Sequence, residues 1–191
     1  MLTKRRIIYV VFGFMAISTG IVVVVYWLYQ AKPVPATGRD RPALPTDTRQ
    51  QQTSVAHLYF ADKDSLFLIA ERRVLHHAEG PINLSRKIVE ALINGPSGGY
   101  MRTIPPDTIL RAVYITQEGI CYVDVSAEIK EHHPGGVQSE LLTLYSLVNS
   151  LILNIPEIKA VKILIDGNEA MTLAGHIDVQ DPIKANMLLI R

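Results

Sequence analysis

A few clusters of side chains have the types and spacing from which a reactive site could be built. His132 and His133 follow Glu128 and Glu131, a set that suggests a metal. On a helix, adjacent residues point about 100° apart, so neighbouring imidazoles do not converge on one ion. Both precede Pro134-Gly135-Gly136 and read as solvated loop histidines, as do His76 and His77 between elements. His176 and Asp178 stand two apart, which in a strand places them on one face as a metal half-site or a His–carboxylate pair. Nothing nearby supplies a third ligand or a nucleophile, and the pair reads as structural, with Asp178 orienting His176 at a sheet edge.

The remaining candidates also have structural readings. Cys121 lies between Ile120 and Tyr122 with no Lys or Arg within several residues, the setting of a buried, unreactive thiol. Gly98-Gly99-Tyr100 lacks the lysine and the strand–turn–helix context of a phosphate loop. Glu140 opens a helix, where a carboxylate complements the positive end of the macrodipole. Asp166-Gly167 is a turn signature, and Asp124 and Asn149 fall within regular elements. The expectation is a chain with no catalytic residues, no metal ligands and no cofactor.

The elements that would carry these residues are legible as patterns. His57–Phe60 and Ser65–Ile69 are short β-favouring runs around Asp62-Lys63-Asp64, a hairpin signal. Leu84, Ile88, Ala91 and Leu92 form one helical face, with Asn83 as N-cap and Gly95-Pro96 as the stop. Ile109–Thr116 and Ile120–Val125 predict a second hairpin across Gln117-Glu118-Gly119. After Gly135-Gly136, a second helix is expected from Ser139 to Leu153, with Leu141, Leu144, Tyr145, Val148 and Ile152 on its apolar side. Ala160–Ile165 is apolar on both faces and reads as an interior strand turning at Asp166-Gly167-Asn168 toward Met171–Leu173. Two amphipathic helices and one mixed sheet make a two-layer α+β sandwich.

The chain has 191 residues, room for one domain and an extension. Up to residue 53 it carries seven Lys/Arg against two Asp; beyond, twelve Lys/Arg against sixteen Asp/Glu. A mildly acidic domain without a basic cluster is a poor phosphate binder, so nucleic acid is not an expected partner. The 23 residues Ile7–Tyr29 contain no charge and reach about 34 Å as a helix, enough to cross a bilayer. Tyr9, and Tyr26, Trp27 and Tyr29, stand near its two ends, where aromatic rings favour the headgroups. Lys4, Arg5 and Arg6 predict a cytoplasmic N-terminus; the rival reading is a cleavable signal with Val34-Pro35-Ala36 as its best small-residue site, but the run is longer than the core of such a signal. The single cysteine lies deep in the domain, where it is neither a lipid attachment site nor half of an intrachain disulfide. The expected organisation is a cytoplasmic N-terminus (1–6), a transmembrane signal anchor (7–29), a proline-stiffened linker (30–53), an α+β domain (54–182) and a C-terminal tail (183–191).

Several segments together resemble the GerM domain, a family of extracytoplasmic modules named from spore germination proteins. Leu58-Tyr59-Phe60-Ala61-Asp62 is similar to its opening strand, Ala91-Leu92-Ile93-Asn94-Gly95-Pro96 to the end of its first helix, and Ile104-Pro105-Pro106-Asp107-Thr108 to a following loop. Tyr122-Val123-Asp124-Val125-Ser126, Glu140–Asn149, Val161–Gly167 and Leu173-Ala174-Gly175-His176-Ile177-Asp178 continue the likeness in order over roughly residues 55–182. The resemblance implies an interaction domain, related in fold to modules that build rings or scaffolds around membrane machinery, without a transferable catalytic set. The expectation is a single-pass protein of the cytoplasmic (inner) membrane whose extracytoplasmic domain meets inner-membrane or envelope proteins, or further copies of itself. The alternative is a ligand- or wall-glycan-binding domain that stacks sugars on Tyr59, Tyr100, Tyr114, Tyr122 and Tyr145.

Overall fold

The computed structural model describes residues 26, 27, 53–64, 66–76 and 78–191. The chain divides into two compact units, 1–47 and 48–191. In the first, Tyr26 and Trp27 are helical. The predicted anchor (7–29) otherwise lies outside the described residues, as does the linker up to residue 52. No helix among the described residues is long and apolar enough to cross a membrane.

The second unit is α+β, and its strands form two sheets where one was expected. β1 (Thr53–Ala61) and β2 (Leu68–His76) make an antiparallel hairpin. β3 (Leu110–Ile115), β4 (Ile120–Val125), β5 (Ala160–Ile165) and β6 (Asn168–Glu169) form the second sheet in that order, with β4 and β5 parallel and the other pairs antiparallel. β5 is an interior strand, as its two-sided apolar sequence predicts. The free edge of β1, where a further strand could pair, is taken by a helix.

That helix is α3 (Val137–Ile152); α1 (Gly80–Asn94) and the single turn α2 (Glu128–Glu131) precede it. The first helix begins at Gly80, with Pro81 in its first turn, and not at an Asn83 cap; Asn83 is exposed inside the helix. A proline lacks the N–H that the first turn leaves unpaired, so Pro81 opens the helix without loss. Gly95 ends it with φ 89°, its N–H donating to the carbonyls of Ala91 and Leu92.

β2 runs from Leu68 to His76, starting later than the expected run. Asp62 is the cause: its Oδ1 accepts the N–H groups of Leu66 (2.8 Å) and Phe67 (3.3 Å), which draws those residues into the turn. Glu71 and Arg73 pair with each other within the strand, and loop 95–98 adds the Ser97 and Gly98 N–H groups to the carboxylate and the Gly95 carbonyl to the guanidinium.

The core lies between these layers, with Leu58, Phe60, Ile88, Leu92, Val123, Leu147, Leu151 and Ile163 excluded from solvent. The segment 183–191, expected as a tail, closes the fold. Ile183 exchanges backbone hydrogen bonds with Val161 at 2.8 Å, Ile190 bridges Leu68 in parallel, and the Arg191 N–H donates to the Leu68 carbonyl. Its guanidinium lies 5.9 Å over the Phe67 ring.

Candidate functional site

Two of the polar residues singled out in the sequence, Glu140 and Asn149, lie on α3, which is buried on most of its circumference and not along one stripe. The expected Leu144 and Val148 are core residues, joined by Leu142, Leu147 and Leu151, whereas the expected Leu141, Tyr145 and Ile152 are only half-buried. A polar row shares the interior with them. Ser146 donates to the Tyr59 carbonyl at 2.6 Å, and Ser150 accepts the Tyr59 N–H at 3.0 Å. Asn154, just past the helix, accepts the His57 N–H and donates to the His57 carbonyl, both at 2.8 Å. Residues 146, 150 and 154 are spaced by four, so they line one flank of the helix and meet alternate residues of a strand. A row of side chains thus satisfies the β1 edge that a further strand would otherwise occupy.

On its other flanks α3 holds two later segments, 174–177 and Asn186. Glu140 is fully buried. Its Oε1 accepts the N–H groups of Ala174 (2.7 Å) and Ile177 (3.1 Å), and its Oε2 accepts the His176 N–H (2.9 Å) and meets His176 Nδ1 (3.1 Å). Burial alone would raise this carboxyl, but the three backbone donors and the imidazole outweigh it and hold Glu140 below the ordinary range. Asn149 exchanges two hydrogen bonds with the backbone of Asn186, at 3.0 and 2.9 Å.

These contacts correct the reading of His176 and Asp178. Residues 174–177 form a bend and not a strand, and the carboxylate that orients His176 is Glu140 from a distant helix. Asp178 instead accepts the Gln180 N–H at 2.8 Å. Glu140 likewise does more than complement its own helix: it clasps a loop 36 residues away. A sequence signal existed, an acidic residue in a first turn followed by a largely apolar helix, but helix-dipole chemistry explained it without a long-range partner.

His132 and His133 diverge as expected, yet neither is a free loop residue. His132 Nδ1 lies 3.1 Å from Asp107 Oδ2. His133 is half-buried: its Nδ1 accepts the Gly135 N–H at 3.0 Å, which leaves Nε2 to donate to Thr143 Oγ1, also at 3.0 Å. Burial holds His133 below the usual imidazole range, with the nearby Glu140 charge acting in the opposite sense. Among the described residues no group of three His, Cys, Asp or Glu side chains is placed to hold a metal.

Cys121 is buried, and desolvation pushes its thiol up to about 12. Asp124 accepts the Gly167 N–H at 2.7 Å and Asp166 pairs with Arg111 at 3.1 Å, which pins the turn at 166–167. Both turn residues have positive φ, 51° and 77°, as a tight two-residue hairpin requires. A cavity of about 590 Å³ opens at the start of α3, between Ile104, Pro105, Arg102, Gly136 and Leu142. Arg102 on its wall is committed to the end of α1, where it donates to the carbonyls of Ile93 and Asn94. Of the five tyrosines considered for stacking, Tyr59 is buried, Tyr100 and Tyr145 pack on the core, and Tyr114 is exposed beside Tyr122, with ring centroids 6.4 Å apart.

The hairpin, the mixed sheet and the α3 spine define an α+β domain of a recognisable kind. The Germane family model, described as sporulation and spore germination, matches residues 57–170, and the chain belongs to that family. Solved structures agree on the fold. The first GerMN domain of the sporulation protein GerM from Bacillus subtilis is 22% identical with a TM-score of 0.58, over 69% of this chain and 97% of that one. The tandem GerMN domains of the same protein give the same identity and TM-score over 70% of this chain and 46% of that one. A Clostridium perfringens protein described as a lipoprotein is 24% identical with a TM-score of 0.51, over 70% of this chain and 87% of that one. Among curated proteins there is no match.

Proposed function

We propose that this chain is a membrane-anchored, non-catalytic interaction module of the cell envelope, carried by residues 7–29 and joined through an extended linker to a domain that assembles with other envelope proteins. The observation that carries the reading is the commitment of the α3 side chains. Glu140, Ser146, Asn149 and Ser150, with Asn154 just past the helix, each spend donors or acceptors on backbone of another segment. Such groups hold surfaces in shape and are not presented to a substrate. Membership of a sporulation and germination family is in keeping with this role. Cell fractionation and in-membrane crosslinking of the full-length chain test it. Full-length protein in the membrane fraction, crosslinked to envelope proteins, is expected; a mature chain free in solution and starting near Thr37 overturns the anchor.

A second reading rests on the Tyr114–Tyr122 pair, since an exposed ring beside a half-buried one is a surface on which a sugar stacks. Titration with soluble wall fragments decides it. Saturable binding that Tyr114→Ala abolishes would favour a glycan receptor.

A further inference from the structure

The outer edge of β2 is a second unusual feature of the hairpin. Tyr59 and His57 turn both backbone groups toward α3, away from β2. By antiparallel alternation, the residues opposite them, Ala70 and Arg72, and then Val74 and His76, turn their N–H and C=O groups away from β1. The first step of this edge already accepts a strand: Ile190 bridges Leu68 in parallel and Arg191 donates to the Leu68 carbonyl at 3.0 Å. From Ala70 to His76 no backbone partner follows among the described residues. β3, one of the two edge strands of the other sheet, instead carries a register shift between Leu110 and Ala112, the kind of irregularity that blunts an edge.

The side chains beside the open edge have a definite chemistry. On the outward face of the hairpin, His57, Arg72 and His76 alternate with Val55, Val74 and Ala70, all of them exposed, the two valines at 48% each. That face carries no carboxylate, although the chain from residue 54 onward has sixteen Asp/Glu against twelve Lys/Arg. Glu71, on the opposite face, is consumed by Arg73 and the Ser97 and Gly98 N–H groups.

We propose that β2 is a docking edge for an extended segment of another protein in which carboxylates alternate with apolar side chains, added as a strand along Ala70–His76. Main-chain hydrogen bonds would supply affinity, and the alternate side chains would supply choice of partner. A second copy of this chain is a poorer occupant. Every two-fold pairing of β2 about Arg72, Arg73 or Val74 sets Arg72 opposite or diagonal to another Arg72, or opposite His76. This inference rests on the assembly reading above and names its partner.

The test uses the full chain in lipid nanodiscs and a fluorescent peptide alternating Val and Glu over seven residues, with the Lys counterpart as control. Saturable binding of the Glu peptide, about tenfold or more tighter than the Lys peptide, is expected. Val74→Pro removes an outward N–H that β1 does not use, so it should weaken binding by about tenfold or more while thermal unfolding stays nearly unchanged. Arg72→Glu should reverse the peptide preference, and it keeps the test intact if the proline variant does not fold. Equal binding of the two peptides, or indifference to both substitutions, overturns the proposal. So does disulfide crosslinking of Val74→Cys between copies, which would make a second copy the occupant. A photo-reactive amino acid placed at Arg72, Tyr114 or Leu188 separates the two levels. Envelope adducts from Tyr114 or Leu188 alone, with no peptide binding, defeat this edge but leave the assembly reading; adducts from none of the three defeat both.

Discussion

Asn154 grips His57 as a neighbouring strand would, accepting its N–H and donating to its carbonyl, each at 2.8 Å. With Ser146 and Ser150 it gives β1 a second set of partners drawn from side chains. The arrangement closes one edge of a two-stranded sheet that would be marginal alone.

Removing a member of this row should therefore cost more than a surface hydroxyl. Ser150→Ala leaves the buried Tyr59 N–H without its acceptor, and a loss of about 1–3 kcal/mol is expected. Asn154→Ala, at a more exposed pair, should cost about 1 kcal/mol. Urea unfolding of the full chain in detergent, followed by circular dichroism, measures both; equal and negligible effects would deny the row a structural role.

Glu140→Ala should be among the most damaging single changes. It strands three backbone N–H groups of segment 174–177, and a loss of about 3 kcal/mol or more is expected. Hydrogen exchange should localise the damage to residues 173–179, with the β1–β2 hairpin less affected.

Stability should fall as the solution is acidified, in two limbs. His133 is held below its ordinary value, so the unfolded chain binds its proton first and stability declines as pH drops through about 6.5. Glu140 and Glu71 are also held low, against the upward push of burial, by their hydrogen-bond donors. Their contribution is complete above the ordinary carboxyl range and is lost as pH falls through it. Melting temperature should thus drop between pH 7 and 5.5 and again below about pH 4.5. His133→Gln should flatten the first limb and Glu140→Gln should shrink the second.

Gly119→Ala should be poorly tolerated. Gly119 has φ 90°, and an added Cβ would stand 2.7 Å from the Glu157 carbonyl oxygen. The Gly119 carbonyl also accepts the Lys159 N–H at 2.8 Å, so the clash falls where β5 is led into the sheet. A cost of about 2 kcal/mol or more is expected from backbone strain and the close contact together, read as a shift in the urea midpoint.

Cys121 should resist alkylation in the folded protein. With its thiol pushed up to about 12 and no exposed surface, labelling by iodoacetamide at pH 8 should proceed only as fast as the domain opens. Prompt labelling under native conditions would mean that β4 is not buried as described.

How much of this was legible in the sequence follows from the range of the interactions involved. The β3–β4 hairpin, the buried β5 and the stop at Gly95 rest on local patterns and near neighbours, and they stand as expected. The start of β2 was misplaced because Asp62 captures the backbone of Leu66 and Phe67, a choice that propensity does not encode. The interior face of α3 was misjudged because Ser146, Asn149 and Ser150 look like solvent-facing residues until their backbone partners, 37 to 91 positions away, are known. The clasp of Glu140 on 174–177 was hidden for the same reason: periodicity reports a residue's face, not what folds against that face.

The pinning of Arg191 has a practical consequence for anyone who handles this protein. Its amide is tied to Leu68, so whatever is joined after residue 191 is launched beside the bare margin of the hairpin. A C-terminal affinity handle or fluorescent fusion would start out in the berth of a visiting chain and could mimic or mask it. Labels are better placed at the amino end.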